Sequence, residues 1–216
     1  MTLSTTGLES RRARLAEEHS GSWASSSQTF ASFAMDLFEA SADDAARVDG
    51  NCAPQALAGV PMLLSALRCF LVELYSGVFT GELQPKQLEA LAKPTTTDLA
   101  LLREEGLPPA IAHRLELLIQ VRHEIVHPAH RPGPERDGTP EYLRELKDAG
   151  LLQSTGKDTD YVWISQLQSH RLFTWAAETM YLVIDFLINK YRLHHFSAGG
   201  LRHTYGRHRP DNPSWP

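Results

Sequence analysis

The stretch PPAIAHRLELLIQVRHEIVHP, from Pro108 to Pro128, decides how this chain folds. Two prolines restart the chain just after Gly106, and proline suits a first helical turn because the N–H it lacks has no partner there anyway. Beyond them Ile111, Leu115, Leu118, Ile119 and Val126 recur at three- and four-residue steps, the spacing of a helix that turns one face to a core. Arg122 falls on the same stripe, so an arginine is expected at a core-facing position. Pro128 disfavours helical geometry in the residue before it, which puts the end of the helix at His127.

Upstream, the same periodicity predicts a first core helix from Gln28 through Phe30, Phe33, Ala34, Leu37 and Phe38, closed by Gly50, Asn51 and Pro54. A second runs from about Pro61 through Leu64, Leu67, Leu71, Leu74, Tyr75 and Val78 to Gly81. Short helices follow Pro85 and Thr97. Downstream, residues 128–140 hold four prolines and two glycines and read as a stiff irregular loop before a short helix at 141–149. Leu151-Leu152-Gln153 and Tyr161-Val162-Trp163-Ile164 flank a polar turn at Gly156, which predicts a small β-hairpin. Ser165 is placed to cap a last long helix carrying Leu172, Phe173, Ala176, Met180, Val183, Ile184, Leu187 and Tyr191.

The resulting expectation is an all-α chain: a bundle of four to six helices with a β-hairpin inserted before the last long helix. Residues 1–27 read as a flexible segment rich in Ser and Thr, 28–196 as one helical domain, and 197–216 as a disordered basic tail. The formal net charge of −5 with 22% charged residues lies in the ordinary globular range, so composition gives no general basic surface for nucleic acid. The last 27 residues carry +4, with −9 on the rest. Cys52 and Cys69 fall in helical surroundings without the spacing of a disulfide framework, which fits a reducing compartment. Arg11-Arg12 is followed by charged residues where a secretion signal needs an apolar run, and Val60 to Phe79 is broken by Arg68 and Glu73, so neither export nor a membrane span is expected. A cytoplasmic location follows as the expectation.

The end of the central helix, Arg122-His123-Glu124-Ile125-Val126-His127, satisfies two chemical patterns at once. Arg-x4-His, as Arg122 and His127, pairs a permanent cation able to grip two phosphate oxygens with a group that titrates near neutrality. The same spacing also occurs at Arg14 with His19, and related spacings at Arg12 with His19 and Arg202 with His208, all outside the core helices. At Arg122 an amphipathic helix ends, a proline-rich loop follows, and the rest of the chain is nearly all helical. In this context the chain resembles the HEPN family, all-helical domains marked by Arg, four to six residues, then His at a helix end. It departs from the family at His123, where Asn is usual. The family's acidic residue on an earlier helix corresponds at best to Glu73.

The resemblance implies metal-independent RNA cleavage without a cofactor, in which a 2′-hydroxyl attacks the adjacent phosphate, in a defence or toxin setting with an antitoxin partner. Arg122 would hold the phosphate, His127 would transfer protons, and His123 and Glu124 would lie beside them. It also implies a homodimer, with both subunits contributing to the site. A non-catalytic helical scaffold, or a nucleotide- or nucleic-acid-binding relative, would look similar in sequence. The second pattern, His123-Glu124-x-x-His127, is that of zinc peptidases, in which two His one turn apart bind metal and the Glu activates water. Pro128 stops the helix before the third ligand such a site requires, and His130, Glu141 and Glu145 lack its spacing.

Overall fold

Proline, threonine and glycine punctuate the chain where their backbone chemistry demands it. In the computed structural model, which describes residues 26–47, 52–93, 97–127, 140–153, 163–193, 196–206 and 209, Pro85 occupies the first turn of a helix and Thr97 Oγ1 caps another by accepting from Ala100 N at 3.1 Å. Gly106, with φ of 86°, ends that second helix in a left-handed conformation that costs glycine little. Among the described residues there are nine helices: α1 (Ser26–Arg47), α2 (Ala56–Tyr75), α3 (Pro85–Ala92), α4 (Asp98–Glu104), α5 (Pro109–Val126), α6 (Glu141–Asp148), α7 (Trp163–Gln166), α8 (His170–Tyr191) and α9 (Phe196–Gly206). The four to six expected are exceeded because the short helices join the bundle alongside the long ones.

The core lies where α2, α5 and α8 meet, with α1 laid along α2 and α9 closing over α8 and α1. It is built from Leu63, Leu67, Phe70, Leu71 and Leu74 of α2, Leu115, Leu118 and Val121 of α5, and Phe173, Met180, Val183 and Leu187 of α8, all buried. α2 and α8 are long and apolar enough to cross a bilayer by length and composition, yet each presents ten or more buried residues to other helices here. One exchange of neighbours is very close. A Cβ on Gly59 would sit 2.0 Å from the Phe173 ring, so the missing side chain is what lets α2 approach α8.

Four expectations are corrected. α2 begins a turn before Pro61, which therefore lies inside the helix, and it ends at Tyr75, short of Gly81. The β-hairpin is not seen among the described residues: Trp163 and Ile164 open α7, and a backbone bond from Gln153 N to Gln166 O, 2.9 Å, and a bond from the Ser169 hydroxyl to Leu151 O tie the 151–153 stretch to the chain around α7. Tyr161 and Val162 lie outside the described residues. The cap of α8 is Ser169 rather than Ser165, its hydroxyl accepting from Leu172 N at 3.2 Å, because Ser165 is held within α7. Residues 197–206, expected as the start of a disordered tail, belong to α9, and the buried side chains of Leu201 and Tyr205 supply the apolar area that fixes it.

Phe30 and Phe33, expected in the core, are 37% and 56% exposed, while Ala31, Ala34 and Met35 face α2 instead. Small residues at that seam let the two helices pack closely and leave the larger rings at its edge. The expected flexible segment 1–27 overlaps α1 at its end. Ser27 is buried there, its N and Oγ donating to the Glu73 carboxylate at 3.2 and 2.5 Å.

Candidate functional site

α5 carries two arginines about two turns apart, and only one is in the core. Arg114 is 3% exposed; it donates to Thr179 Oγ1 at 3.0 Å, Trp175 O at 3.2 Å and Glu178 Oε2 at 3.0 Å, and its guanidinium lies 5.3 Å from the centre of the Trp175 ring. This is the structural arginine that the sequence reading did not single out. Its signal was present: it precedes Leu115 on the buried side of the stripe.

Arg122 is exposed, which corrects the expectation of a core-facing arginine. Its direction was read correctly, since seven residues on from buried Leu115 a helix has turned to within about 20° of the same bearing. What changes is the surroundings. The core stops short, and that face of α5 continues as Ile119 and Arg122 into the wall of an open cavity of about 590 Å³. The buried side of the last turns is Val121 and Glu124, and Val126 is 41% exposed.

Two more cations, Arg68 and Lys93, share the cavity wall with Arg122. Arg68 is committed to Asp98 and to the Leu91 carbonyl, and Lys93 pairs with Glu89 at 3.3 Å on the surface. Arg122 makes no ion pair or hydrogen bond among the described residues. An unpaired guanidinium at the edge of a cavity is free to take an incoming anion.

His127 caps the C-terminus of α5, its N–H bonded to His123 O at 2.8 Å, with φ −130° and ψ 66°, the departure from helical geometry that the following proline imposes. Its side chain and that of His123 are exposed, their rings 5.4 Å apart and tilted by 54°. Neither lines the Arg122 cavity. Five residues along a helix leave two side chains about 140° apart around its axis, so Arg122 and His127 of one chain face different sides.

Glu124 is not with them. It is 4% exposed and accepts from the Tyr142 hydroxyl at 2.9 Å, tying α5 to α6. Its carboxylate is turned inward onto Tyr142, apart from the exposed imidazoles of His123 and His127 with which it shares the zinc pattern. Of the third ligands considered, Glu145 is bonded to His113 Nε2 at 2.6 Å, and His130 lies outside the described residues. Glu73 holds the start of α1 through Ser27 and is not on the cavity wall. Among the alternative Arg and His pairs, Arg202 is bound to Asp185 at 2.6 Å, while residues 12–19 and His208 lie outside the described residues.

Comparison with protein-family models, with curated proteins and with solved structures gave no match, so the resemblance to HEPN domains rests on the spacing of Arg122 and His127, their place at a helix end and the all-helical surroundings.

Proposed function

We propose that the chain is a metal-independent RNA endonuclease of HEPN type, acting in the cytoplasm as a homodimer, in a defence or toxin setting with an antitoxin as protein partner. The observation that carries the reading is the state of Arg122: exposed at the end of a core helix, on a cavity wall, and unpaired among the described residues, with the exposed His127 at the same helix end. A phosphodiester needs both groups. The guanidinium stabilises the charge that builds on the phosphoryl oxygens. One imidazole, neutral, takes the proton of the 2′-hydroxyl as its oxygen bonds to phosphorus; a second, protonated, returns a proton to the departing 5′-oxygen and leaves a cyclic phosphate. Two chains supply two such histidines, and a dimer also answers the divergence of Arg122 and His127 within one chain.

The test is incubation of wild type, Arg122→Ala and His127→Ala with mixed RNA in EDTA, reading fragment ends for cyclic phosphate. Each substitution is expected to slow cleavage about a hundredfold or more, with circular dichroism unchanged because both side chains are exposed. Wild type of verified fold that cuts no RNA, or His127→Ala that cuts at the wild-type rate, overturns the reading. In that event the reading of the chain as a non-catalytic helical scaffold takes its place.

A further inference from the structure

The cavity beside Arg122 is amphipathic, which phosphate recognition alone does not require. Beside its cations, Leu64, Leu67, Leu91, Ile119 and Phe30 supply an apolar lining from four different helices. Of the two hydroxyls among its described lining, Ser65 Oγ gives its proton to Pro61 O at 2.9 Å, and Thr97 Oγ1 accepts the capping N–H of Ala100 and keeps its own proton to donate. Cys69 also lines the wall, and burial, with Glu73 adding and Arg68 opposing, raises its thiol pKa, so it faces the space as a neutral group at pH 7. Asp98, the one carboxylate on the wall among the described residues, is neutralised by Arg68.

What remains is an apolar slot whose wall carries an unpaired guanidinium, Arg122, and a weakly held ammonium, Lys93. A nucleobase in such a slot would bury ring nitrogens and carbonyls with few free donors or acceptors to meet them, and unmet polar groups are costly. An alkyl or aryl body has no such need. Its burial is favourable, and an ionised head group at Arg122 adds a charge-assisted hydrogen bond.

We infer that this cavity binds a small amphipathic anion, a short apolar chain ending in a phosphate monoester or a carboxylate, with the head group on Arg122 and Lys93 and the chain against Leu64, Leu67, Leu91 and Ile119. The inference is independent of RNA cleavage and concerns ligand binding in its absence.

The experiment is isothermal titration of the full chain, without RNA, with octyl phosphate, octanoate, inorganic phosphate and adenosine monophosphate. Octyl phosphate or octanoate binds saturably at one site, the tighter of the two identifying the head group; inorganic phosphate gives no saturable heat, and adenosine monophosphate binds more weakly than the tighter octyl ligand. Arg122→Gln, an exposed change that leaves the fold intact by circular dichroism, weakens that ligand about tenfold, the scale of one charge-assisted hydrogen bond. Leu64→Asp, in the apolar lining, weakens it at least as much. Failure of both octyl ligands to bind folded wild type, tighter binding of adenosine monophosphate, or wild-type affinity in Arg122→Gln overturns the inference. Because binding and cleavage are read separately, a protein that binds octyl phosphate and cuts no RNA loses only the ribonuclease reading.

Discussion

Arg114 and Arg122 share a helix and meet opposite surroundings, so the same substitution is expected to have opposite consequences at the two. Removing Arg114 takes the partner from the Glu178 carboxylate and empties a buried space at the α5–α8 seam, while Thr179 Oγ1 and the Trp175 carbonyl keep their bond to each other; Arg114→Ala is expected to cost about 2–4 kcal/mol, read as a lower denaturant midpoint. Arg122→Ala is expected to change stability by less than about 0.5 kcal/mol. A third residue gives the fold a pH dependence. Ser41 has one hydroxyl proton, which it donates to Phe38 O at 2.6 Å, so at 2.8 Å it accepts from His170 Nδ1–H. Burial lowers the pKa of that ring below its usual 6.5. The unfolded chain therefore binds the proton first, and stability held above pH 6.5 is lost as the pH falls below it toward the folded value. His170→Asn is expected to flatten the slope of melting temperature against pH between pH 7 and 5, and an unchanged slope would place the titration elsewhere.

Between α2 and α8, a single absent methyl sets the spacing. In an exposed helix, replacing glycine by alanine gains about 1 kcal/mol. At Gly59 the new Cβ would meet the buried Phe173 ring at 2.0, 2.6 and 2.8 Å, and Gly59→Ala is expected to cost about 1–3 kcal/mol instead. The double variant with Phe173→Leu should recover part of that loss in chemical denaturation; equal losses in the single and double variants would mean the helices separate without resistance. The starts and stops of α3, α4 and α5 were legible in the sequence, because Pro85, Thr97, Gly106 and Pro109 act through their own backbone chemistry. Which partners they take was not. Ser165 and Ser169 are equally good caps in sequence, and only the turn made by α7 assigns the role to Ser169. The β-branched and aromatic run at 161–164 reads as a strand by local preference, yet its described part is helical, local propensity giving way to packing.

For the whole molecule, the sharpest consequence of the proposed site is its stoichiometry. Sedimentation equilibrium at micromolar concentration is expected to give twice the mass of 24.1 kDa, and a monomer throughout that range would exclude a site shared between copies. The all-helical class was readable because apolar periodicity extends over most of the chain, and the position of Arg122 and His127 at a helix end was readable because Pro128 fixes it. The depth of the core was not. Nothing local tells Leu115 from Arg122 on the same bearing of α5, and the difference arises because α2, α3 and α4 leave a cavity opposite the second. The same limit hid α9, whose Leu201 and Tyr205 find their burial only after α1 and α8 are in place.

α5 is thus fastened at one end and free on one face at the other. Arg114, Leu115 and Leu118 bind it to the bundle, while Arg122, His123, Val126 and His127 stand in solvent. In evolutionary terms this separates two kinds of inheritance within eighteen residues. Mutations in the first half of the helix are purged for misfolding whatever the protein does. Those on the exposed face of the last turns leave the scaffold intact, so selection there acts on chemistry alone, and lineages can lose, regain or exchange an activity at this helix end while keeping the architecture that presents it.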